Sequence, residues 1–193
     1  TLNAYIKEAL VENSDANSTL GDETTNTVGA SAGIGRSLNR YTRVGVTYAI
    51  ETTDVTYEKN DSNNSNYMTS SITPYINYNN TDDYYVPRSG KIAGSSLKIA
   101  GIGGDAKYIL SSSYFKYFYS LDDLLDRDWV LRYKTSVKLL QDKGEIPDGT
   151  TFYLGGVSSV RGYQSYAFQP EENANPYTRT WTNAVELSFP LIP

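Results

Sequence analysis

The chain has 193 residues, a formal net charge of −5, and neither cysteine nor histidine. Their absence excludes disulfide bridges, the usual zinc sites, and the Ser-His-Asp and Cys-His catalytic arrangements. The acidic balance argues against nucleic acid as a partner, because phosphate binding requires a basic face. No run of about 20 apolar residues is present to form a transmembrane helix. Eighteen tyrosines among many polar residues are typical of a β-protein.

Alternation of apolar and polar residues, the mark of a half-buried strand, recurs along the chain. Pro74 lies within one alternating segment and requires a local break in the hydrogen-bond ladder. The sequence therefore predicts about eight strands. In chain order they cover residues 2–12, 26–35, 41–51, 67–78, 91–101, 107–120, 128–140 and 181–189.

Strand length favours a membrane barrel over a soluble sandwich. Several predicted strands reach the roughly 9 to 11 residues that cross a bilayer at a tilt, whereas globular strands average about five or six. Each long strand has two unlike faces. The face predicted to meet lipid includes Val46, Tyr48, Leu131 and Leu187, and the face predicted to line a wet lumen includes Arg43, Thr47, Glu51, Arg132, Lys134, Lys138 and Glu186.

The connections alternate in kind along the chain. Compact connections are predicted at 36–41, 81–90 and 121–128. Between them fall connections at 13–25, 59–66, 101–105 and 142–178, of which the last is long and the third is shorter than expected. An up-and-down meander produces this order, since outer-membrane barrels have short turns at one end and longer loops at the other.

The longest segment without strand character carries a glycine pair and a lone arginine between aromatic residues. By itself such a pair marks a tight turn, and a loop arginine is usually solvated. It is not a phosphate cradle, because no strand-to-helix transition surrounds it. The motif residues are Gly155, Gly156, Val160, Arg161, Gly162 and Tyr163.

The stretch "FYLGGVSSVRGYQSYAFQP" resembles the sixth extracellular loop of the BamA/TamA superfamily of outer-membrane insertases and translocases. Residues 33–51 and 78–101 resemble the strand-turn-strand segments of the same superfamily. The resemblance implies that the loop folds back into the barrel and that Arg161 contacts acidic and aromatic groups of the inner wall. Gly162 would permit the turn at the tip, Tyr163 would pack beside it, and Glu186 is a candidate partner in the lumen. A guanidinium suits this role because it has five donors and stays charged.

The resemblance also implies a barrel of about sixteen strands, with this loop between the eleventh and twelfth. We therefore expect residues 1–193 to form a partial outer-membrane β-barrel domain, an incomplete part of that barrel, with 142–178 as its long extracellular loop. A closed eight-stranded barrel is just wide enough to be filled by its own side chains. It could not also hold the loop, so we expect an open antiparallel sheet.

The function that the resemblance implies is that of an outer-membrane protein assembly factor, which folds and inserts β-barrel proteins into the bacterial outer membrane. Its partners would be unfolded outer-membrane proteins, accessory assembly lipoproteins and the lipid bilayer, without nucleic acid. We expect no covalent catalysis, no cofactor and no metal. Alternatives are a TamA-like factor or a two-partner-secretion translocation pore, a passive porin, and a soluble β-sandwich binding module.

Overall fold

The computed structural model describes residues 1–11, 23–59, 64–122, 128–146, 150–156, 159–164, 167–168 and 177–189. These residues form one antiparallel sheet of eight strands, ordered β1 to β8 as in the chain. The predicted all-β class and strand number are confirmed. The strands are β1 (Leu2–Val11), β2 (Glu23–Ser37), β3 (Thr42–Tyr57), β4 (Ser65–Asn79), β5 (Gly90–Gly104), β6 (Lys107–Ser120), β7 (Val130–Glu145) and β8 (Arg179–Ser188).

The sheet is open, as expected for part of a larger barrel. Within the described residues, β1 pairs only with β2 and β8 pairs only with β7. Most strands have 14 to 16 residues, well above the length of a typical globular strand. No helix in the described part of the chain is long and apolar enough to cross a membrane.

The two faces of the sheet differ in character. One face, the apolar face, leaves large hydrophobic side chains uncovered, including Leu2 at 86% and Trp181 at 71% exposure. The register puts Val46, Leu131 and Leu187 on this face. The opposite face carries Glu51, Lys134 and Glu186 and is contacted by the segment around Phe152. We call it the loop face.

Tyrosine rings on the loop face lie across glycines of neighbouring strands. Gly45 pairs with Tyr75, and a Cβ at Gly45 would come 2.5 Å from the Tyr75 hydroxyl oxygen. Gly29 pairs with Tyr5, and a Cβ there would come 3.0 Å from the Tyr5 ring. Because glycine leaves a strand without a packing side chain, the opposing ring fills the gap.

The β2–β3, β4–β5 and β6–β7 connections define the short-turn end of the sheet. In the β4–β5 turn, Asp82 Oδ1 accepts hydrogen bonds from the backbone N–H groups of Asp83, Arg88 and Ser89 at 2.9 to 3.1 Å. Desolvation acts to raise the pKa of Asp82, but these donors outweigh it and lower the pKa below its usual value. Arg88 then pairs with Asp122 and Asp128 at 2.5 Å each, which ties this turn to the β6–β7 connection.

Several strands run beyond their predicted bounds; β2 begins at Glu23 instead of 26, and β3 reaches Tyr57 instead of 51. The predicted connection at 101–105 is mostly strand, because Gly101, Gly103 and Gly104 adopt positive φ angles and let β5 continue irregularly to Gly104. The strand β7 runs to Glu145, so the long loop begins later than 142. Near Pro74, the β4–β5 register skips two residue pairs and resumes unshifted, while pairing with Val46 of β3 persists. Residues 147–149, 157–158, 165–166 and 169–176 of the long loop, and most of 13–25, lie outside the described residues.

Candidate functional site

Backbone hydrogen bonds at the base of the long loop join its two ends to each other and to the wall. Phe152 N–H donates to Tyr177 O at 3.0 Å, and Leu140 N–H of β7 donates to Thr178 O at 2.7 Å. Further out, Leu154 and Phe168 exchange two hydrogen bonds of 3.1 and 2.9 Å. The outgoing and returning segments of the described loop therefore pair with each other, and we call this paired part, residues 152–168, the arm.

The glycine pair forms a tight turn at the start of the motif. Gly155 and Gly156 have φ angles of 135° and 74°, a region that glycine enters without steric penalty. The Ser159 hydroxyl bonds both the N–H and the C=O of Gly155, at 2.8 and 2.7 Å. Val160 N–H donates to Gly156 O at 3.0 Å. Local geometry thus explains why this turn contains two glycines and a serine.

The tip of the arm closes just after Arg161. Gly162 has a φ of 88°, and Gly156 N–H donates to Tyr163 O at 3.1 Å. The Tyr163 ring packs against Phe168 within the loop, at 4.8 Å between centroids and in a tilted arrangement. This arrangement presents Arg161 at the end of a closed turn.

Phe152 is the apolar anchor of the loop on the wall. Its side chain is 9% exposed and belongs to the buried cluster of the described residues. Lys138 Nζ lies 5.9 Å from the ring centroid. The other members of the cluster, from the loop face of β5 to β7 and the β5–β6 turn, are Ala100, Ala106, Tyr108 and Leu140. Apolar burial thus holds the loop base on an otherwise polar face.

Arg161 reaches the wall at Glu186 of β8. Its Nη2 lies 3.6 Å from Glu186 Oε1, while Lys134 Nζ of β7 lies 2.8 Å from Oε2 of the same carboxylate. Arg161 is 72% exposed at the side chain, whereas Glu186 is 23% exposed. The tip and the wall enclose a cleft of about 650 Å³, which Val160 also lines.

The wall beneath the tip is cationic. Lys116 of β6 pairs directly opposite Lys134, and Arg132 pairs opposite Glu186. The Nε atom of Arg132 is buried without a hydrogen-bond partner in the described structure. Because directly opposed like charges destabilise a sheet, the Glu186 carboxylate offsets repulsion among its neighbours as well as receiving Arg161.

A second polar cluster on the loop face escaped the sequence reasoning. Glu51 of β3 accepts a short hydrogen bond from the Tyr5 hydroxyl of β1 and pairs with Lys98 of β5 at 3.0 Å. Lys98 Nζ also lies 5.8 Å from the Tyr108 ring centroid. Alternation along β1 shows only that Tyr5 is on the other face of the strand from Leu2 and Ile6. The meeting with Glu51 required the strand register.

The described residues contain no group of three or more His, Cys, Asp or Glu side chains that could hold a metal ion. What they contain is a two-faced wall of long strands, apolar on one side and charged on the other. A loop is folded against the charged side. These features define a wall of a transmembrane β-barrel.

The comparison with known families places the chain. Residues 1–193 match the Omp85 superfamily domain, so the chain belongs to the Omp85 superfamily. This is a family of outer-membrane insertases and translocases that interact with outer-membrane substrates, and its β-barrel members reside in the outer membrane of Gram-negative bacteria. The expected membrane location is thereby confirmed.

Two solved structures share the fold over the whole chain. One is BamA from Haemophilus ducreyi lacking POTRA domains 1–3, with a TM-score of 0.78 at 18% sequence identity. The other is CdiB from Acinetobacter baumannii, with a TM-score of 0.61 at 14% identity. The chain covers 45% and 34% of these two proteins, respectively. It therefore spans less than half the length of either.

Proposed function

We propose that this chain is the central wall of an outer-membrane protein assembly factor, which folds and inserts β-barrel proteins into the outer membrane. The observation that carries the proposal is the closed turn of residues 155–163, which is anchored on the loop face and reaches Glu186 through Arg161. A pore that only conducts solutes has no need of such a brace.

In this proposal the chain acts mechanically. Phe152 fixes the base of the loop by apolar burial, and Arg161 fixes the tip by a charged contact. The two anchors contact different strands, since Phe152 packs in the cluster of β5 to β7 and Arg161 contacts Glu186 of β8, so the loop links these strands. A wall held in shape in this way would support strand pairing elsewhere in the barrel, where an incoming strand is added by β-augmentation.

The partners that follow from this role are unfolded outer-membrane proteins and accessory assembly lipoproteins. Unfolded barrel strands present unpaired N–H and C=O groups, which are costly in hydrocarbon. A factor that templates their pairing lowers that penalty. The proposal requires no cofactor and no covalent step.

The test uses the full-length protein with Arg161→Ala. We expect reduced assembly of a model barrel substrate in vesicles, with faster protease cleavage between residues 150 and 168 and a barrel that remains folded. Arg161→Lys should restore activity in part, because lysine lacks the planar fork. Arg179→Ala is the matched control, an exposed arginine at the first position of β8. Full activity of Arg161→Ala with an unchanged cleavage rate would contradict the proposal.

The second candidate is a TamA-like factor or a translocation pore of the two-partner-secretion type. It is favoured by the fold similarity to CdiB as well as to BamA. Depletion of the full-length protein separates the two functions. General loss of barrel proteins from the outer membrane supports the assembly factor, whereas loss of one secreted protein, with normal barrel levels, supports the pore.

A further inference from the structure

Aromatic ring pairs collect at the short-turn end of the sheet. Tyr78, Tyr117 and Tyr119 stand on the apolar face by register. The other three rings flank the ends of β3, β7 and β8. The pairs are Tyr41–Tyr78 at 6.2 Å, Tyr117–Tyr119 at 6.4 Å and Trp129–Phe189 at 5.7 Å between centroids. They follow one another along the rim from β3 to β8.

Two of these ring pairs carry a cation. Arg40 Cζ lies 5.6 Å from the centroid of Tyr41, and Lys91 Nζ lies 5.6 Å from the centroid of Tyr117. Neither cation forms an ion pair within the described residues. By contrast, Arg88 at the same end is paired with two aspartates. A ring orients a cation without neutralising it, so both charges keep donors for an outside acceptor.

The position of the ring pairs identifies the medium around them. Immediately further from the rim, the same face carries Ile76 and Leu187, and Leu131 stands opposite the rim ring Tyr119; all three are exposed and apolar. In outer-membrane barrels an apolar band of this kind meets the acyl chains. Tyrosine and tryptophan concentrate where that band gives way to headgroups, because their rings are apolar at one end and polar at the other. The rim therefore lies at the depth of phospholipid phosphates.

We propose that this rim is a phospholipid headgroup site. Arg40 and Lys91, each held over a tyrosine, bind the phosphates of membrane phospholipids, and the three ring pairs occupy the interfacial layer around them. Charge-assisted hydrogen bonds to phosphate are strong, and a long cationic side chain at a membrane border extends toward the headgroups. The inference goes beyond the proposed assembly function, since any member of the superfamily must be seated in its bilayer.

The first test compares Arg40→Gln and Lys91→Gln in the full-length protein. Lys116→Gln is the matched control, because Lys116 pairs with Ile92 next to Lys91 but points to the loop face. Reversible urea unfolding is measured in phosphatidylglycerol vesicles, phosphatidylcholine vesicles and maltoside micelles. We expect each rim variant to lower the folded-to-unfolded ratio about fivefold in phosphatidylglycerol, less in phosphatidylcholine, and not in maltoside. The control should show no such lipid dependence.

Two outcomes would overturn the proposal. Equal losses in all three media would mean that the cations serve contacts within the protein or with a soluble partner. No loss in either kind of vesicle would mean that they bind no phosphate.

The second test measures depth and needs no change to the cations. Trp129 lies at the rim, whereas Trp181 lies at the third position of β8, toward the loop end of the apolar face. The fluorescence of Trp129 is obtained as the difference between the wild type and Trp129→Phe. It should be quenched most by lipids brominated near the headgroup. The fluorescence of Trp181, obtained in the same way from Trp181→Phe, should be quenched more by bromine deeper in the acyl chain. Deep quenching of Trp129, or none, would place the rim away from the interface and remove the site.

Discussion

The apolar face and the loop face are built from alternate residues of the same eight strands, yet they satisfy their polar groups differently. On the apolar face, polar side chains pair with near neighbours in the sheet, as Tyr48 does with Ser70 at 2.8 Å and Trp181 with Thr135 at 3.1 Å. On the loop face, Glu51 links three strands and Glu186 links the wall to the loop. Polar groups on the apolar face bond to neighbouring side chains, whereas those on the loop face bond across several strands or to the loop.

The difference follows from what surrounds each face. Hydrocarbon offers no hydrogen bonds, so a polar group facing it must find a partner beside it. A lumen contains water, and charges there tolerate incomplete pairing. Charged groups on the loop face are therefore free to hold a loop. The same reasoning explains the buried phenylalanine at the loop base. Moving an apolar side chain such as Phe152 out of water lowers the free energy, whereas moving a charge out of water raises it.

The largest effect is expected at Phe152, the apolar side chain that anchors the loop on the loop face. Phe152→Ala should weaken attachment of the loop by about 3 kcal/mol, because it empties the cluster around Tyr108 and Leu140. Hydrogen exchange of the Phe152 amide, which bonds Tyr177 O, should accelerate accordingly. Phe168→Ala is the control, since that ring is 40% exposed and packs against Tyr163 of the same loop. An equal effect of the two variants would show that the cluster is not the anchor.

The contrast between faces is tested by one charge placed on either side. Val46→Arg puts an arginine on the apolar face of β3 and should destabilise the inserted full-length barrel by about 2 kcal/mol. Thr47→Arg puts the same residue one position along, on the loop face, and should change stability by less than about 1 kcal/mol. The measurement is reversible unfolding in vesicles. Equal losses would contradict the assignment of faces.

Much of the wall was predictable from the sequence, because alternation fixes which residues share a face once strands are long. Val46, Leu131 and Leu187 fell on the expected side for this reason. Pairings across strands were not predictable, since they depend on register. The meeting of Tyr5, Glu51 and Lys98 spans β1 to β5 and has no local signal. The glycines of 101–104 predict a turn but form the end of β5, because glycine with positive φ occurs in bulges as well as in turns.

The carboxylates of Glu51 and Glu186, both on the loop face, should differ in their contribution to stability. Glu51→Ala removes the partner of Lys98, whose side chain is only 24% exposed, and should cost about 1 to 2 kcal/mol. Glu186→Ala should cost about half as much, because Lys134 is 36% exposed and water replaces its partner more easily. Both are measured by unfolding in vesicles. A larger loss at Glu186 would mean that the loop, rather than the wall, holds this face together.

The smallest effect concerns the contact between tip and wall. A double-mutant cycle of Arg161→Ala and Glu186→Gln isolates their interaction from the other contacts of each residue. With Arg161 72% exposed and 3.6 Å from the carboxylate, the coupling should be about 0.2 to 1 kcal/mol and should shrink as salt is added. Loop opening, followed by protease cleavage between residues 150 and 168, is the readout. Such a value would assign most of the holding energy to Phe152 and leave Arg161 to set where the tip rests. With the attachment energy concentrated at Phe152, the tip of the loop can move while its base stays attached to the wall. A coupling above about 2 kcal/mol that persists in high salt would instead describe a desolvated pair, and the tip would then be as firmly fixed as the base.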